Sequence, residues 1–317
     1  MYTEDAIEPE IPLCDAHHHF TDFPSHPYLL EDFLKDIGSG HNILETVFIE
    51  CKAYFDNDEF HQAHPEGETQ FVENIALESA AKAIQTRVAA GIVGFADLTL
   101  GDAVSPVLEA HLAASPERFK GIRYGTCWDR NFHSPDDPTR DILYNSKFRE
   151  GFACLKKYNL SFDSFLFHTQ LKDLADLARA FPETPIVVNH FGGLLGVGPY
   201  AINREVVIDE WKSGLVELAA CDNVVIKLGG FAMGLCGFNV NHSLSSIELA
   251  QIMSPYYLWC IDRFGPYRCM FESNFPVDKQ SYYYSIMWNA FKLITIDFSA
   301  TERAAMLRDT AVKTYRL

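Results

Sequence analysis

A chain of 317 residues with 48% hydrophobic and 22% charged side chains, and no low-complexity tract, can bury a large core. Its formal charge of −17 and the absence of any Lys/Arg run argue against phosphate backbones and anionic lipid, so neither nucleic acid nor membrane is an expected partner. The acidic opening "MYTEDAIEPEIP" lacks the apolar core of a signal peptide, and no stretch approaches the roughly 20 apolar residues of a membrane span, so the cytoplasm is the expected compartment.

Residues 1–10 read as a short extension. The first apolar run, "IPLCDAHH" (11–18), and the second, "ETVFIEC" (45–51), have strand character. The polar, broken stretch 53–68 follows, then a helical pattern over 69–85. "AGIVGFADL" (90–98) leads into a helix over 103–115. "FKGIRYGT" (119–126) and "SFDSFLFH" (161–168) are strands four and five, with a helix over 170–181. "TPIVVNHF" (184–191) precedes a helix over 209–221, "NVVIKLGG" (223–230) opens into the irregular stretch 237–246, and "RCMFESNF" (268–275) is the eighth strand. A closing helix, "TERAAMLRDTAVKTYRL", starts at a Thr followed by Glu and packs back on the wall.

Strands buried on both faces and joined by helices call for a parallel sheet, and eight such units close into a (β/α)8 TIM barrel. Residues 1–317 are read as one such domain, with 53–68 and 237–246 as loops over the C-terminal face. An open doubly wound sheet is the rival, but no GxGxxG follows the first strand. The eight cysteines show no CxxC spacing and read as reduced core thiols.

In such a barrel chemistry gathers at the C-terminal strand ends. Asp15, His17 and His19 share one parity on strand one, whereas His18 faces the other way and belongs to the packing. His168 and His190 end strands five and six; Glu272 and Asn274, again of equal parity, end strand eight. A lone strand-end histidine is usually structural, but three separate strands ending so point to a common site. The remaining histidines, at 26, 41, 61, 64, 111, 133 and 242, read as solvated positions on loops or helix faces.

"DAHHHF", "VVNHFGG", "MFESNFPVDK" and "DTAVKTYRL", in this order along nearly the whole chain, resemble the amidohydrolase-related (amidohydrolase-2) family. Within it they are most similar to the branch that includes sugar-lactone and 2-pyrone-4,6-dicarboxylate lactone hydrolases. The resemblance implies a barrel with the active site at its strand ends. In metal-dependent relatives it implies an ion held by residues matching His17, His19, His168 and a strand-eight Asp. Asn274 stands at that last position and departs from the pattern. Some lactonases of the branch work without metal.

Asn is neutral and cannot usefully accept a proton, so Glu272 becomes the candidate source of negative charge and of the base. The competing reading buries Glu272 in a salt bridge with Lys227 or Arg123. Those two cations sit on apolar strands and must find an anion or water, which makes them candidates for binding a substrate carboxylate. Pairing with Glu50, Asp97 or Glu272 is the structural alternative. Tyr54 and Trp128, just past strands two and four, are candidate walls for a ring.

The leading expectation is therefore a hydrolase that opens a lactone by water attack on the carbonyl. His190 is the candidate acid/base, since imidazole titrates near neutrality. His17, His19 and His168 either hold one divalent ion, zinc by their nitrogen donors, or act as hydrogen-bond donors without metal. The partner is a small molecule, carboxylated or not, and self-association is left open. Two alternatives remain: metal-dependent non-oxidative decarboxylation of an aromatic or unsaturated acid, which Asn274 disfavours, and a catalytically silent ligand-binding barrel.

Overall fold

The computed structural model describes residues 4–22, 27–52, 56–57, 63–133 and 138–317. Eight parallel strands hydrogen-bond in chain order: β1 (Pro12–His18), β2 (Asn42–Ile49), β3 (Arg87–Gly94), β4 (Phe119–Gly125), β5 (Ser161–Phe165), β6 (Ile186–Val188), β7 (Val224–Leu228) and β8 (Cys269–Phe271). The ring closes just past β8, where Asn274 N–H donates to the His17 carbonyl at 2.9 Å and His19 N–H to the Phe275 carbonyl at 2.8 Å. The fold is a (β/α)8 barrel.

The strands carry two apolar faces, as parallel strands covered on both sides must. Inward, Cys14, Ala16, Val47, Ile49, Val93, Val187 and Met270 meet Ala311 and Tyr315 from the C-terminal helix. Outward, a larger cluster joins the strands to the helical layer, with Phe33, Phe152, Trp211 and Trp288 fully buried. His18 faces this outer layer, stacked on Phe33 at 4.2 Å. The extension is strapped down by Lys292, which donates to the carbonyls of Ile7 and Glu8 at 2.7 and 2.8 Å.

Boundaries differ from the sequence reading in ways that matter for the site. Strands five, six and eight stop at Phe165, Val188 and Phe271, so His168, His190, Glu272 and Asn274 all lie past the ends of their strands. The closing helix begins at Ala300, because Ser299 and not Thr301 forms the capping box with Glu302. In the 53–68 stretch, residues 56–57 pair with 63–64 in a short antiparallel ribbon and a helix starts at Glu66. Two histidines read as solvated are buried instead: His111, stacked on Phe119 at 4.6 Å, and His41, whose ring accepts from Lys292. No disulfide links the eight cysteines. Among the described residues no helix is long and apolar enough to cross a membrane.

Candidate active site

His17 points into the barrel from β1, and the chain leaves β6 through His190 in the left-handed region (φ 52°), followed by Phe191 at 42°. Left-handed backbone costs non-glycine residues on the order of 1–3 kcal/mol each, so the surrounding structure must hold it. Trp211 does so in part, its indole donating to the Phe191 carbonyl at 2.7 Å. The turn directs the His190 ring back across the barrel mouth to Glu272.

Glu272 is fully buried and lies between two imidazoles. His190 Nδ1 donates to its Oε1 at 2.6 Å, and the His190 backbone N–H reaches the same oxygen at 3.2 Å. Its Oε2 stands 2.8 Å from His17 Nδ1 but off the line of a hydrogen bond, and is left without a hydrogen-bond partner among the described residues. The closeness depends on glycine: a Cβ at Gly229 would strike the Glu272 side chain, and one at Gly230 would come within 2.5 Å of His190 Nδ1. The "LGG" that ends the seventh strand stretch makes room for the pair.

His19 Nδ1 donates to the Ile49 carbonyl at 2.8 Å, which leaves a lone pair on Nε2, 3.2 Å from His17 Nε2. Burial, and then the neighbouring cations, Lys227 foremost for His17 and Arg123 for His19, hold both imidazoles well below their ordinary pKa. They are neutral at pH 7 and available as acceptors or ligands.

Above this group opens a cavity of about 730 Å³, whose lining includes His19, His190, Arg123, Asn274, Tyr28 and Lys279. Asn274, itself left-handed (φ 55°), donates its Nδ2 to Asp278 at 3.0 Å, which leaves Oδ1 for the cavity. Asp278 is buried, also accepts from Ala232 N–H and Tyr282 OH, and is pushed up by burial to about 6. Arg123 takes the structural option: Nε donates to Glu50 at 2.7 Å, while Nη1 lies 3.3 Å from His17 Nε2 and the guanidinium still lines the cavity.

The structure thus brings His17, His19, His190, Glu272, Asn274 and Arg123 together. Three expected site residues lie elsewhere. His168, one turn past β5, packs edge-on to Tyr200 at 5.3 Å and accepts from Leu195 N–H, because its strand ends too early to carry it to the mouth. Lys227 is sealed within the barrel, paired to Asp163 at 2.8 Å, because its place on β7 is a layer below the cavity. Trp128 stacks on His133 and lines a separate depression with Tyr200. Tyr54 falls outside the described residues. Among the described residues, the donor atoms that approach one another as metal ligands would are those of His17, His190 and Glu272, within 4.8 Å, rather than the anticipated His17, His19 and His168. Sequence reasoning named Glu50 as a candidate partner of Arg123, as found, but missed Asp278 and the glycine pair, for which only "LGG" and the Asp four residues after Asn274 carried a signal.

Comparison with known proteins bears on this arrangement. The amidohydrolase family model matches residues 14–317, and the chain belongs to that family. An uncharacterized protein of Sinorhizobium fredii, y4mH, is 33% identical over 294 residues, spanning 92% of this chain and 86% of that protein. An L-fucono-1,5-lactonase of Burkholderia multivorans is 25% identical over 262 residues, 79% of this chain and 77% of the lactonase. Among solved structures, an amidohydrolase from Burkholderia multivorans with bound zinc shares the fold, with a TM-score of 0.73 at 22% identity over 96% of this chain and 99% of that one.

Proposed function

We propose that this chain hydrolyses a cyclic ester, a lactone, by water attack on the ring carbonyl. The observation that carries the reading is the His190–Glu272 pair: a buried carboxylate fixes Nδ1–H of the imidazole at 2.6 Å, leaving Nε2 for the cavity. That is the tautomer a general base needs, with the carboxylate orienting the ring and stabilising the imidazolium that forms. Nε2 takes the proton of the attacking water and returns it to the ring oxygen as the ester bond breaks. Arg123, with its Nη1 at the mouth, and Asn274, its amide fixed by Asp278, are placed to hold the carbonyl and the water. The lactonase relative supports this choice among amidohydrolase reactions. Decarboxylation has less support, since Asn274 offers no carboxylate at the strand-eight position.

The same residues also suit a divalent ion. Two histidines and one carboxylate are a nitrogen and oxygen set of the kind catalytic zinc uses, His17 is neutral, and the unpartnered Oε2 of Glu272 is a free ligand atom. Bound there, zinc would polarise the carbonyl and acidify a water. An ion on His190 would remove it from proton transfer, so the two uses exclude each other.

A panel of neutral and carboxylated lactones followed by pH-stat tests the reading. Acid release by the wild type, lost in Glu272→Gln and His190→Asn with folding intact, supports it; no release from any ring size refutes it. Dialysis against chelator separates the two forms of the site: activity that survives with no metal in elemental analysis assigns His190 to proton transfer.

A further inference from the structure

Beside the main cavity lies a second chamber of about 400 Å³, and Cys51, Arg123 and Phe165 line both. Glu50, Phe95, Tyr124 and Gly125 form much of the rest of its lining. Glu50 is 4% exposed. Arg123 grips it twice, through Nε to Oε1 at 2.7 Å and through Nη2 to its backbone carbonyl, so the carboxylate cannot roll freely. Its second oxygen, Oε2, is buried with no hydrogen-bond partner among the described residues. A buried carboxylate oxygen left unpaired is costly, and the cost is removed when a donor enters. The other end of the same guanidinium stands 3.3 Å from His17, and Phe165, on the shared wall, meets the His190 ring edge-on at 5.3 Å. Glu50 and His17 are therefore joined through one arginine head group, Nε and Nη2 on the first and Nη1 towards the second.

We infer that the side chamber is a substrate subsite in which Glu50 Oε2 accepts a hydrogen bond from a hydroxyl on an arm of the lactone, several atoms from the scissile carbonyl. The inference rests on the lactonase reading and deepens it. An ionised carboxylate only accepts, so Glu50 selects a hydroxyl or N–H donor over an apolar arm. A site built around such an acceptor discriminates strongly against an analogue lacking the donor, because its own polar group is then left unpaired. Glu50 is thus a specificity-determining residue for the same reaction, and not merely the counter-ion of Arg123.

Two substrates and two variants test this. A hexono-1,4-lactone carries a dihydroxyethyl arm on the ring; the four-carbon 1,4-lactone lacks it. The quantity read is the ratio of their kcat/KM values. In the wild type the armed lactone is preferred, and Glu50→Gln, which replaces a charged acceptor with an amide, lowers the ratio about tenfold. Gly125→Leu is independent of the ion pair. Gly125 ends β4 and lines the chamber, and a Cβ there meets nothing within 4 Å, so a side chain can be added at this point without a clash at its root. It too lowers the ratio tenfold or more, and it decides the matter alone if Glu50→Gln fails to fold. An unchanged ratio in Gly125→Leu overturns the subsite, and a fall there with a folded but unchanged Glu50→Gln overturns the part assigned to Glu50. Failure of the wild type to open any lactone is a separate result, which removes the lactonase reading and this inference with it.

Discussion

Glu272 and Asp163 are both fully buried carboxylates in the same barrel, and their surroundings set them apart. Asp163 Oδ2 collects the Lys227 ammonium at 2.8 Å, the Tyr315 hydroxyl at 2.7 Å and the Asn189 amide at 3.1 Å. None of these four residues lines the main cavity or its side chamber. Glu272 instead has two imidazoles, one of which does line the cavity. A carboxylate gathered around an ammonium and two neutral donors is settled; one that fixes the tautomer of an imidazole facing the cavity is equipped for chemistry. The deep cluster still serves the upper one, since Lys227 lies 3.4 Å from His17 Nδ1 and, after burial, is the largest influence keeping that ring neutral.

The contrast is broken most directly by removing each charge in turn. Glu272→Gln should lower lactone kcat/KM by about three orders of magnitude, on the order of 4 kcal/mol of barrier, with little change in the urea midpoint. Asp163→Asn strands a buried ammonium and should cost about 3–5 kcal/mol of unfolding free energy. If both variants lose stability alike, or both lose only activity, the two clusters are not distinct in kind. A smaller effect is expected from Gly230→Ala. Its methyl group would press on the His190 ring at a position with φ of 66°, so activity should fall about a hundredfold at a stability cost of about 1–3 kcal/mol. Activity equal to wild type would show that His190 need not sit against Glu272.

Much of this was legible in the sequence. Alternation of short apolar runs with helical patterns located all eight strands, and parity separated His17 and His19 from His18, although a register shift between Asp15 and His18 leaves Cys14 and Ala16, of His18's parity, in the inward cluster. Parity says which way a side chain points, however, and nothing of how high along the barrel it sits. Lys227 and Glu272 are both polar residues near strand ends, yet one is a layer deeper than the other. Nor does parity survive the last ladder bond: His190 reaches Glu272 only through a left-handed turn, and His168 misses the mouth because β5 stops at Phe165. A smaller consequence follows for metal. Elemental analysis after zinc loading should show reduced content in His17→Asn and in His190→Asn but not in His168→Asn; a loss in His17→Asn and His168→Asn with none in His190→Asn would restore the ligand set suggested by resemblance.

Asp278 extends the comparison to a third buried carboxylate, whose hydrogen-bond partners are all neutral: the Asn274 amide, the Ala232 N–H and the Tyr282 hydroxyl. With no cation paired to it among the described residues, burial prevails and lifts its pKa from 3.8 to about 6. A folded-state pKa above the unfolded one means the folded protein holds the proton more tightly. This group's contribution is therefore most favourable at acid pH and is lost as pH rises through about 6. Asp278→Asn cannot ionise and escapes that loss. Asp15, raised to about 6 as well, is present in both proteins and cancels in the difference. The unfolding free energy of Asp278→Asn relative to wild type should thus shift in the variant's favour by about 2 kcal/mol between pH 4.5 and 7.5, measured by urea titration at both. A difference that stays flat with pH would mean that Asp278 is already ionised at the acid end, and that its neutral donors stabilise the charge as well as a cation would.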